Sequence, residues 1–542
     1  MSEYIIGIDT GGTYTDAVLL DAADKRVLAT AKEPTSHHRL ALSTGLALEK
    51  LLQQSAVPKE KISRLALSTT LATNAVVEKK GARVGAFIIG YVKHFRLPIV
   101  ATVFIKGGHN ISGEEEEDLD LDNIVDTIQG LRNDVDSYAV CSAMSMVNNS
   151  HELVTGKAIS MIDPKPVFLS HTISQHAGMR ERAATAALHA KLMPLMQDYI
   201  GGIQAAMIKN DLHCPVVLIA GNAHQIGIGE ASEQAGVTVA SGPACTAGFG
   251  RAQKVENALI VDVGGTTTDI TMIKDGEMVL SPDGCQVGEW QTHVEAVDML
   301  TGGIGGDSLV TMKADGALSL GPTRVIPLSM AEGFPKCSSW LGPELKAKCI
   351  SLLPELDIPE KDDLLIYTLT VNGPSTADTI RQKTGLSGVP LNKQMEQLAR
   401  KQIILETGFT PTDALHVLGK INIGDRDRAM AGANILASLQ DTDPESFCKR
   451  VIEMTEKQIE DLLIDYVIHH YWGKSLSSFI STRNDHPVLG VQFHMKIPII
   501  GIGAAAPYFL PRVAERLGTT VNFPDHCEVG NGVGAALLGS EG

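Results

Sequence analysis

The sequence has no CxxC pair, no basic leader and no long apolar run, and each absence removes a class of function. Its eight cysteines (Cys141, Cys214, Cys245, Cys285, Cys337, Cys349, Cys448 and Cys527) are scattered over 542 residues. That spacing suits reduced thiols in a core better than a zinc or redox site. The opening MSEYIIGIDTGG has no basic n-region, so no secretion signal is read from it. No stretch approaches the roughly 20 apolar residues that cross a bilayer, and a cytoplasmic location without membrane contact is expected. Positive charge is also short: 46 Lys and Arg stand against 63 Asp and Glu, a formal charge of -17. A nucleic-acid partner is therefore not expected, because phosphate backbones need a cationic face. A small anionic ligand stays open, since local backbone amides can bind one against the global charge.

The common nucleotide and hydrolase signatures are missing too. WGKS (472–475) lacks the first glycine of a P-loop, position 468 being isoleucine. GGIGGDS (302–308) follows no convincing strand and lacks the acidic partner of a dinucleotide fold. No G-x-S-x-G elbow occurs.

What is present is a repeat. IGIDTGGTYTD (6–16) returns as IVDVGGTTTDI (260–270), each time after an apolar run that reads as a buried strand. The glycines allow close approach of the backbone to a ligand. Successive N–H groups in such a turn converge into an anion-binding hollow. One G-G-T turn is also an ordinary β-hairpin; two copies in register point to a duplicated phosphate clamp. Gly11, Gly12, Thr13 and Thr15 line the first copy and Gly264, Gly265, Thr266 and Thr267 the second. The strand-end carboxylates Asp9 and Asp262 would repel a phosphate unless a divalent cation or a proton lies between.

Along the chain, strands and crossover helices alternate, which predicts an α/β layer fold. RLALSTGLALEKLLQQ (39–54) has helical spacing, and residues 64–90 read strand, turn, helix, strand. VDSYAVCSAM reads as another strand, followed by helices to about 210. Residues 237–253 read as a strand and then an SGPA turn opening a helix. The acidic run GEEEEDLDLDN (113–123) reads as a solvated loop entering a helix. From 325 to 412 the order helix, NGP turn, helix, GLSG turn, helix, short hairpin suggests a winged-helix-like insert. Its Arg381, Lys383, Lys393, Arg400 and Lys401 are interleaved with Asp378, Glu396 and Glu406, which favours a packing or interface module over a DNA reader.

These blocks together resemble the hydantoinase A/oxoprolinase family of the actin, heat-shock-70 and sugar-kinase ATPase superfamily. STTLATNAVVEKKGARVGAF is similar to the family's TTxATNAxxERKGA signature, and LSHTISQHAGMRERAATAALHA to its S...REyeRtsTtvlNA segment. VASGPACTAG, HVEAVDMLTGGIGGDSLV and TPTDALHVLGK resemble further family blocks. Two positions depart from the pattern: His189 replaces the family's Asn, and Asp307 stands inside its GGGS.

The resemblance implies a duplicated ribonuclease-H-like, actin-like ATPase fold. Its domains would be 1–190 with the phosphate-1 motif, 191–324 with the phosphate-2 motif, the insert 325–412, and 413–542 with the adenosine motif at Gly501, Gly503 and Ala504. It implies ATP-dependent hydrolysis of a cyclic amide, with ATP and Mg²⁺ as cofactors and Asp9 and Asp262 as catalytic and Mg-holding residues, through water. Thr69, Thr70, Asn74 and Arg180 are the substrate-side candidates, with a local helix cap as the alternative for the turn at 69–74 and a surface ion pair for Arg180. An oligomer and a separate B-type hydantoinase subunit as partner are expected. A small-molecule kinase and a nucleotide-gated regulator remain the alternatives.

Overall fold

The structure, a computed structural model, describes every residue except 1–2, 36–39, 78–80, 91–92, 174–177, 282–283, 285, 288–289, 314, 354–362, 387, 401–402, 484–489 and 542. The side chains of residues 74, 77, 286, 287, 291 and 400 also lie outside the description. The fold is α/β, with mixed and parallel sheets. It divides into two compact units, one of residues 1–256, 273–298 and 529–542, the other of residues 257–272 and 299–528.

The first unit starts from strands β1 (Tyr4–Thr10), β2 (Tyr14–Asp21) and β3 (Val27–Pro34), followed by helix α1 (Leu40–Gln54) and strand β4 (Ile62–Thr69). β1 is buried almost throughout, as its run of Ile5, Ile6 and Ile8 requires of a central strand. It pairs antiparallel with β2 and parallel with β4. After helix α2 (Leu71–Val77) come β5 (Val84–Ile89), β6 (Ala101–Ile105), α3 (Leu121–Leu131), β7 (Ser137–Ser142), α4 (Ser150–Ile162), β8 (Val167–Leu169) and the long α5 (Met179–Lys209). Strands β9 (Val216–Ile219) and β10 (Gln225–Gly227) complete a six-stranded sheet ordered β10-β9-β4-β1-β2-β3. A second sheet, β6-β5-β7-β8, is parallel throughout.

Helices α6 (Ile228–Glu233) and α7 (Ser241–Ala252) follow. The unit is closed by the helix Gly530–Gly539, whose small residues let backbones touch. A Cβ on Gly7 of β1 would strike the Gly532 carbonyl, and one on Gly534 the Cys245 carbonyl of α7.

Two details differ from the sequence reading. Residues 235–238 form a 3-10 turn and α7 begins after Ala240 in a left-handed conformation (φ 63°), so no strand precedes the SGPA turn. The three-residue β8 was not expected, being too short to show a period of its own. The acidic run does lead into α3, whose N-cap is Asp120, accepting the Asn123 N–H. No cluster of metal-ligating side chains is found among the described residues.

In the second unit, β11 (Ala258–Val263) and β12 (Thr268–Lys274) lie side by side. β12 pairs antiparallel with Met299–Gly302, β11 pairs parallel with Ile499–Ile502, and that strand pairs parallel with Val521–Asn522. The order of these five strands and their directions repeat β3-β2-β1-β4-β9.

Within 325–412 the helices Leu364–Asn372, Ala377–Thr384 and Val389–Arg400 share a core of Leu365, Leu369, Ile380, Leu391, Met395 and Leu398. The strand Ile404–Gly408 pairs back with Lys348–Leu352 rather than with a following strand as a hairpin would. Arg381 pairs with Asp378 at 2.8 Å and Lys348 with Glu406 at 2.5 Å, so acidic neighbours meet part of the basic charge. Lys401 and the Arg400 side chain lie outside the described residues. Helices Pro411–Val417, Arg426–Ser438, Pro444–Trp472, Ser477–Thr482 and Ala506–Arg516 also belong to the unit. Among the described residues no helix is long and apolar enough to cross a membrane.

Candidate functional site

Each repeat folds into the same turn. Gly11 N–H donates to the Tyr14 carbonyl at 3.1 Å, and Gly264 N–H donates to the Thr267 carbonyl at 2.9 Å. In both cases the turn joins the central strand of a sheet to its antiparallel neighbour, and the aspartate stands two residues before the first glycine.

In the first unit the Asp9 side chain is buried at the end of β1, where Ser68 Oγ of β4 donates to its Oδ1 at 2.6 Å. The Asn531 side chain also hydrogen-bonds it. Asn531 is fixed in turn by Thr246 Oγ of α7, which donates to its Oδ1 at 2.7 Å. Burial is the main cause that raises the Asp9 carboxyl to about 6; Asp16 across the strand pair adds to it, and Ser68, Asn531 and Lys32 oppose it. Behind the turn, Thr10 Oγ lies 2.9 Å from Thr44 Oγ and 3.4 Å from Tyr199 Oη, which ties β1 to α1 and α5.

In the second unit the corresponding Asp262 meets the predicted adenosine motif. Gly503 has φ +89°, and a Cβ there would lie 2.5 Å from both Asp262 Oδ1 and the Val263 carbonyl oxygen. The turn at 305–307 anchors the second glycine turn. Gly306 and Asp307 N–H groups donate to the Gly264 and Gly265 carbonyls at 3.0 and 2.8 Å. With those carbonyls held, Gly265 N–H has no hydrogen-bond partner among the described residues. The Asp307 carboxylate fills the space where a Gly265 side chain would go, its Oδ2 2.5 Å from that Cβ position. Burial raises the Asp307 carboxyl, while Arg324, at 3.6 Å, and Thr412 Oγ, at 3.3 Å, oppose the shift.

The remaining sequence candidates distribute as follows. Gly12, Thr13 and Thr266 are partly exposed in their turns. Thr15 is fully buried, with its Oγ 3.0 Å from Thr35 Oγ, and Thr267 Oγ donates to Asp269 Oδ2 at 3.2 Å. Gly501 lies against the Phe523 ring and Ala504 is exposed in the turn after the strand. Thr69 Oγ accepts the Leu71 N–H at 3.0 Å in the turn before α2, and Thr70 Oγ donates to the Thr10 carbonyl at 3.0 Å. The Asn74 side chain is outside the described residues. Arg180 is exposed at the start of α5.

His189 is a packing residue: its ring stacks on Phe168 at 4.3 Å, Nδ1 accepts the Gly236 N–H at 3.1 Å, and burial lowers its pKa to about 3. Sequence reasoning missed Ser68 and Asn531. Ser68 is marked only by the β1–β4 register, and Asn531 only by its place at the start of a glycine-rich helix.

Residues 5–162 match the family model described as hydantoinase/oxoprolinase N-terminal region, and residues 182–462 match the model described as hydantoinase/oxoprolinase. The chain is 29% identical over 468 residues to caprolactamase subunit alpha of Pseudomonas jessenii, covering 76% of this chain and 64% of that one. It is 25% identical to the acetophenone carboxylase gamma subunit of Aromatoleum aromaticum, over 58% of this chain and 49% of that one. The match to 5-oxoprolinase 1 of Arabidopsis thaliana, also 25% identical, covers 59% of this chain and 29% of that protein. The aligned part is thus under two thirds of each of these relatives. Its fold is similar to nucleotide-free acetone carboxylase (TM-score 0.68, 18% identity, 99% of this chain and 70% of that one). It is also similar to the ATP-dependent caprolactamase of Pseudomonas jessenii (TM-score 0.63, 21% identity, 98% and 70%). With the second model alone matching more than half of its length, the chain belongs to the hydantoinase/oxoprolinase family.

Proposed function

We propose that this protein uses ATP to phosphorylate the oxygen of a ring amide, as the A-type subunit of a cyclic-amide hydrolase. The observation that carries this reading is the repeat of one Gly-N–H turn at the same place in two sheets of the same strand order. That duplication supports the ribonuclease-H-like, actin-like assignment of both halves, with 325–412 as an inserted module. The names of the relatives supply the substrate class: a caprolactamase alpha subunit and a 5-oxoprolinase both act on lactams.

An unactivated amide is a poor electrophile, and phosphorylation converts its oxygen into part of a leaving group. The amide oxygen attacks the γ-phosphorus, an O–P bond forms, and ADP departs with the electrons of the bond that breaks. Over the whole cycle two waters are consumed: one cleaves the ring C–N bond, whose nitrogen leaves as an amine, and one releases phosphate. The protein's share is positioning and charge neutralisation.

Backbone amides of the turns at 11–13 and 264–266 would hold phosphates, with Thr13 and Thr266 as hydroxyl donors. Asp9 and Asp262 would hold Mg²⁺, directly or through its waters, and Asp262 would also be a candidate to orient the nucleophile. The fit is chemical: the donors are hard oxygens, and Asp9 is a buried carboxylate held mainly by the neutral groups Ser68 and Asn531, which leaves it short of positive charge. Mg²⁺, when bound, neutralises charge on the phosphates. The subunit names of two relatives support a B-type partner that completes the ring opening.

The test is phosphate release measured against hydantoins, lactams and sugars, with and without a B-type subunit. Release coupled one-to-one to ring opening of a lactam is expected. A phosphorylated sugar or acid that accumulates without free phosphate would make the protein a small-molecule kinase instead.

A further inference from the structure

Helix α7 starts without the partners that a buried helix end needs. Its N-cap is Ala240, in the left-handed region at φ 63°, which has no side-chain oxygen to offer the first amides. The Ala244 N–H is met by the Ala240 carbonyl, and Pro243 carries no N–H. The N–H groups of Ser241 and Gly242 have no hydrogen-bond partner among the described residues. Bulk water does not serve them either, since Ser241 is 1% exposed and Gly242 is buried.

The Ser241 side chain adds a third unmet donor, because its buried Oγ has no hydrogen-bond partner. Side chains on a helix tilt toward its N-terminus, so this hydroxyl is aimed at the same end as the two free amides. There is room beside them. A Cβ built on Gly242 would meet no atom of the described residues within 4 Å, although the residue is buried. Buried polar groups are otherwise paired almost without exception, because an unpaired one loses its hydration and gains nothing in return. Two amides and a hydroxyl at one helix N-terminus are a donor set for an oxyanion, and the helix dipole adds partial positive charge there.

This end of α7 adjoins the first glycine turn within the first unit. Thr73 Oγ of α2 accepts the Ala240 N–H at 3.3 Å. Less than one helical turn earlier, Thr70 donates its N–H (3.1 Å) and its Oγ hydrogen (3.0 Å) to the carbonyl of Thr10, the residue before Gly11. From the other side, Cys245, one turn into α7, lies by Ser68 and Asp9, and Thr246 holds the Asn531 that hydrogen-bonds Asp9. The start of α7 and the turn at 11–13 are thus pinned to the same strand ends, those of β1 and β4.

We propose that the N-terminus of α7 is a binding site for a phosphate oxyanion, held by Ser241 N–H, Gly242 N–H and Ser241 Oγ, and filled by the terminal phosphate of the nucleotide or by inorganic phosphate. That an oxyanion binds there follows from the donors; that it is a phosphate rests on the function proposed above.

The test is calorimetric titration of inorganic phosphate, with and without ADP and Mg²⁺, into the full-length wild type, Ser241→Ala and Gly242→Asp. A carboxylate in the first turn suits the helix dipole and enters the open space, so Gly242→Asp is expected to melt no lower than the wild type while binding phosphate at least tenfold more weakly. Ser241→Ala is expected to lose about tenfold, the value of one hydrogen bond to a charged group. If Gly242→Asp melts below the wild type, Ser241→Ala decides. Displacement of the phosphate by a non-hydrolysable ATP analogue but not by ADP would assign the site to the terminal phosphate; phosphate bound alongside the analogue would assign it to the free ion. No phosphate binding by the wild type, displacement by ADP alone, or a folded Gly242→Asp that binds phosphate within twofold of the wild type would overturn the site. Nucleotide binding on the same samples separates the two readings. Phosphate binding that depends on Gly242 in a chain that binds no ATP analogue would end the ATP reading and leave this site standing, and analogue binding without it would do the reverse.

Discussion

Replacing Asp262 with asparagine is expected to lower substrate-dependent phosphate release by on the order of 10³-fold, the range seen when one preorganised electrostatic group is removed from a reacting centre. The substitution keeps the shape of the side chain and its contact with Gly503, so the second unit should stay folded. What is lost is the negative charge at the end of β11. The neighbouring Asp269 and Asp307 cannot replace it. Asp269 has its own hydrogen bonds to Thr267 and Thr301, and Asp307 sits beneath the loop, filling the space beside Gly265. The measurement is kcat for phosphate release with the lactam that the panel identifies. A variant with more than a tenth of the wild-type rate would remove Asp262 from the role given to it.

Gly503→Ala is expected to cost about 10²-fold in the same assay, the loss that follows a displacement of about 1 Å at a reacting group. Two effects combine at this position. The backbone is at φ +89°, and the added methyl would sit 2.5 Å from Asp262 Oδ1 and from the Val263 carbonyl. The first costs about 1–2 kcal/mol in an L-residue. The second cannot be relieved without moving either the carboxylate or the strand beneath it. Gly419→Ala separates them: Gly419 is at φ +68° with nothing near its Cβ position, so it carries the strain without the collision. Gly419→Ala should lower the melting temperature and leave kcat within twofold. Equal loss of kcat in both variants would mean that Gly503 acts through stability alone.

The parts of this molecule legible in the sequence are those with a local cause. The two glycine turns follow from residues within four positions of one another, and the flanking strands from their apolar runs. The helices of the insert are marked by turns such as NGP and by their periodicity. What could not be read depends on which elements meet. Asn531 reaches Asp9 only because a glycine-rich helix at the far end of the chain packs on β1, and no pattern at 529–539 announces that partner.

The same holds for Arg182. It lies in a segment that resembles the family pattern, yet the exposed Arg180 drew notice and the buried Arg182 did not. A buried arginine is distinguished by its partners, Ser142 and Ser145, which are distant in sequence. The short β8 and the 3-10 turn at 235–238 escaped for a related reason: both are shorter than one period of any pattern.

The central claim, that each glycine turn contributes to holding nucleotide, is tested most directly by calorimetric titration of a non-hydrolysable ATP analogue with Mg²⁺ into the wild type, Asp9→Asn and Asp262→Asn. The account predicts nucleotide binding by the wild type and a loss of affinity of at least tenfold in each variant. A wild type that binds no nucleotide, or a variant at either turn that binds as the wild type does, would contradict it.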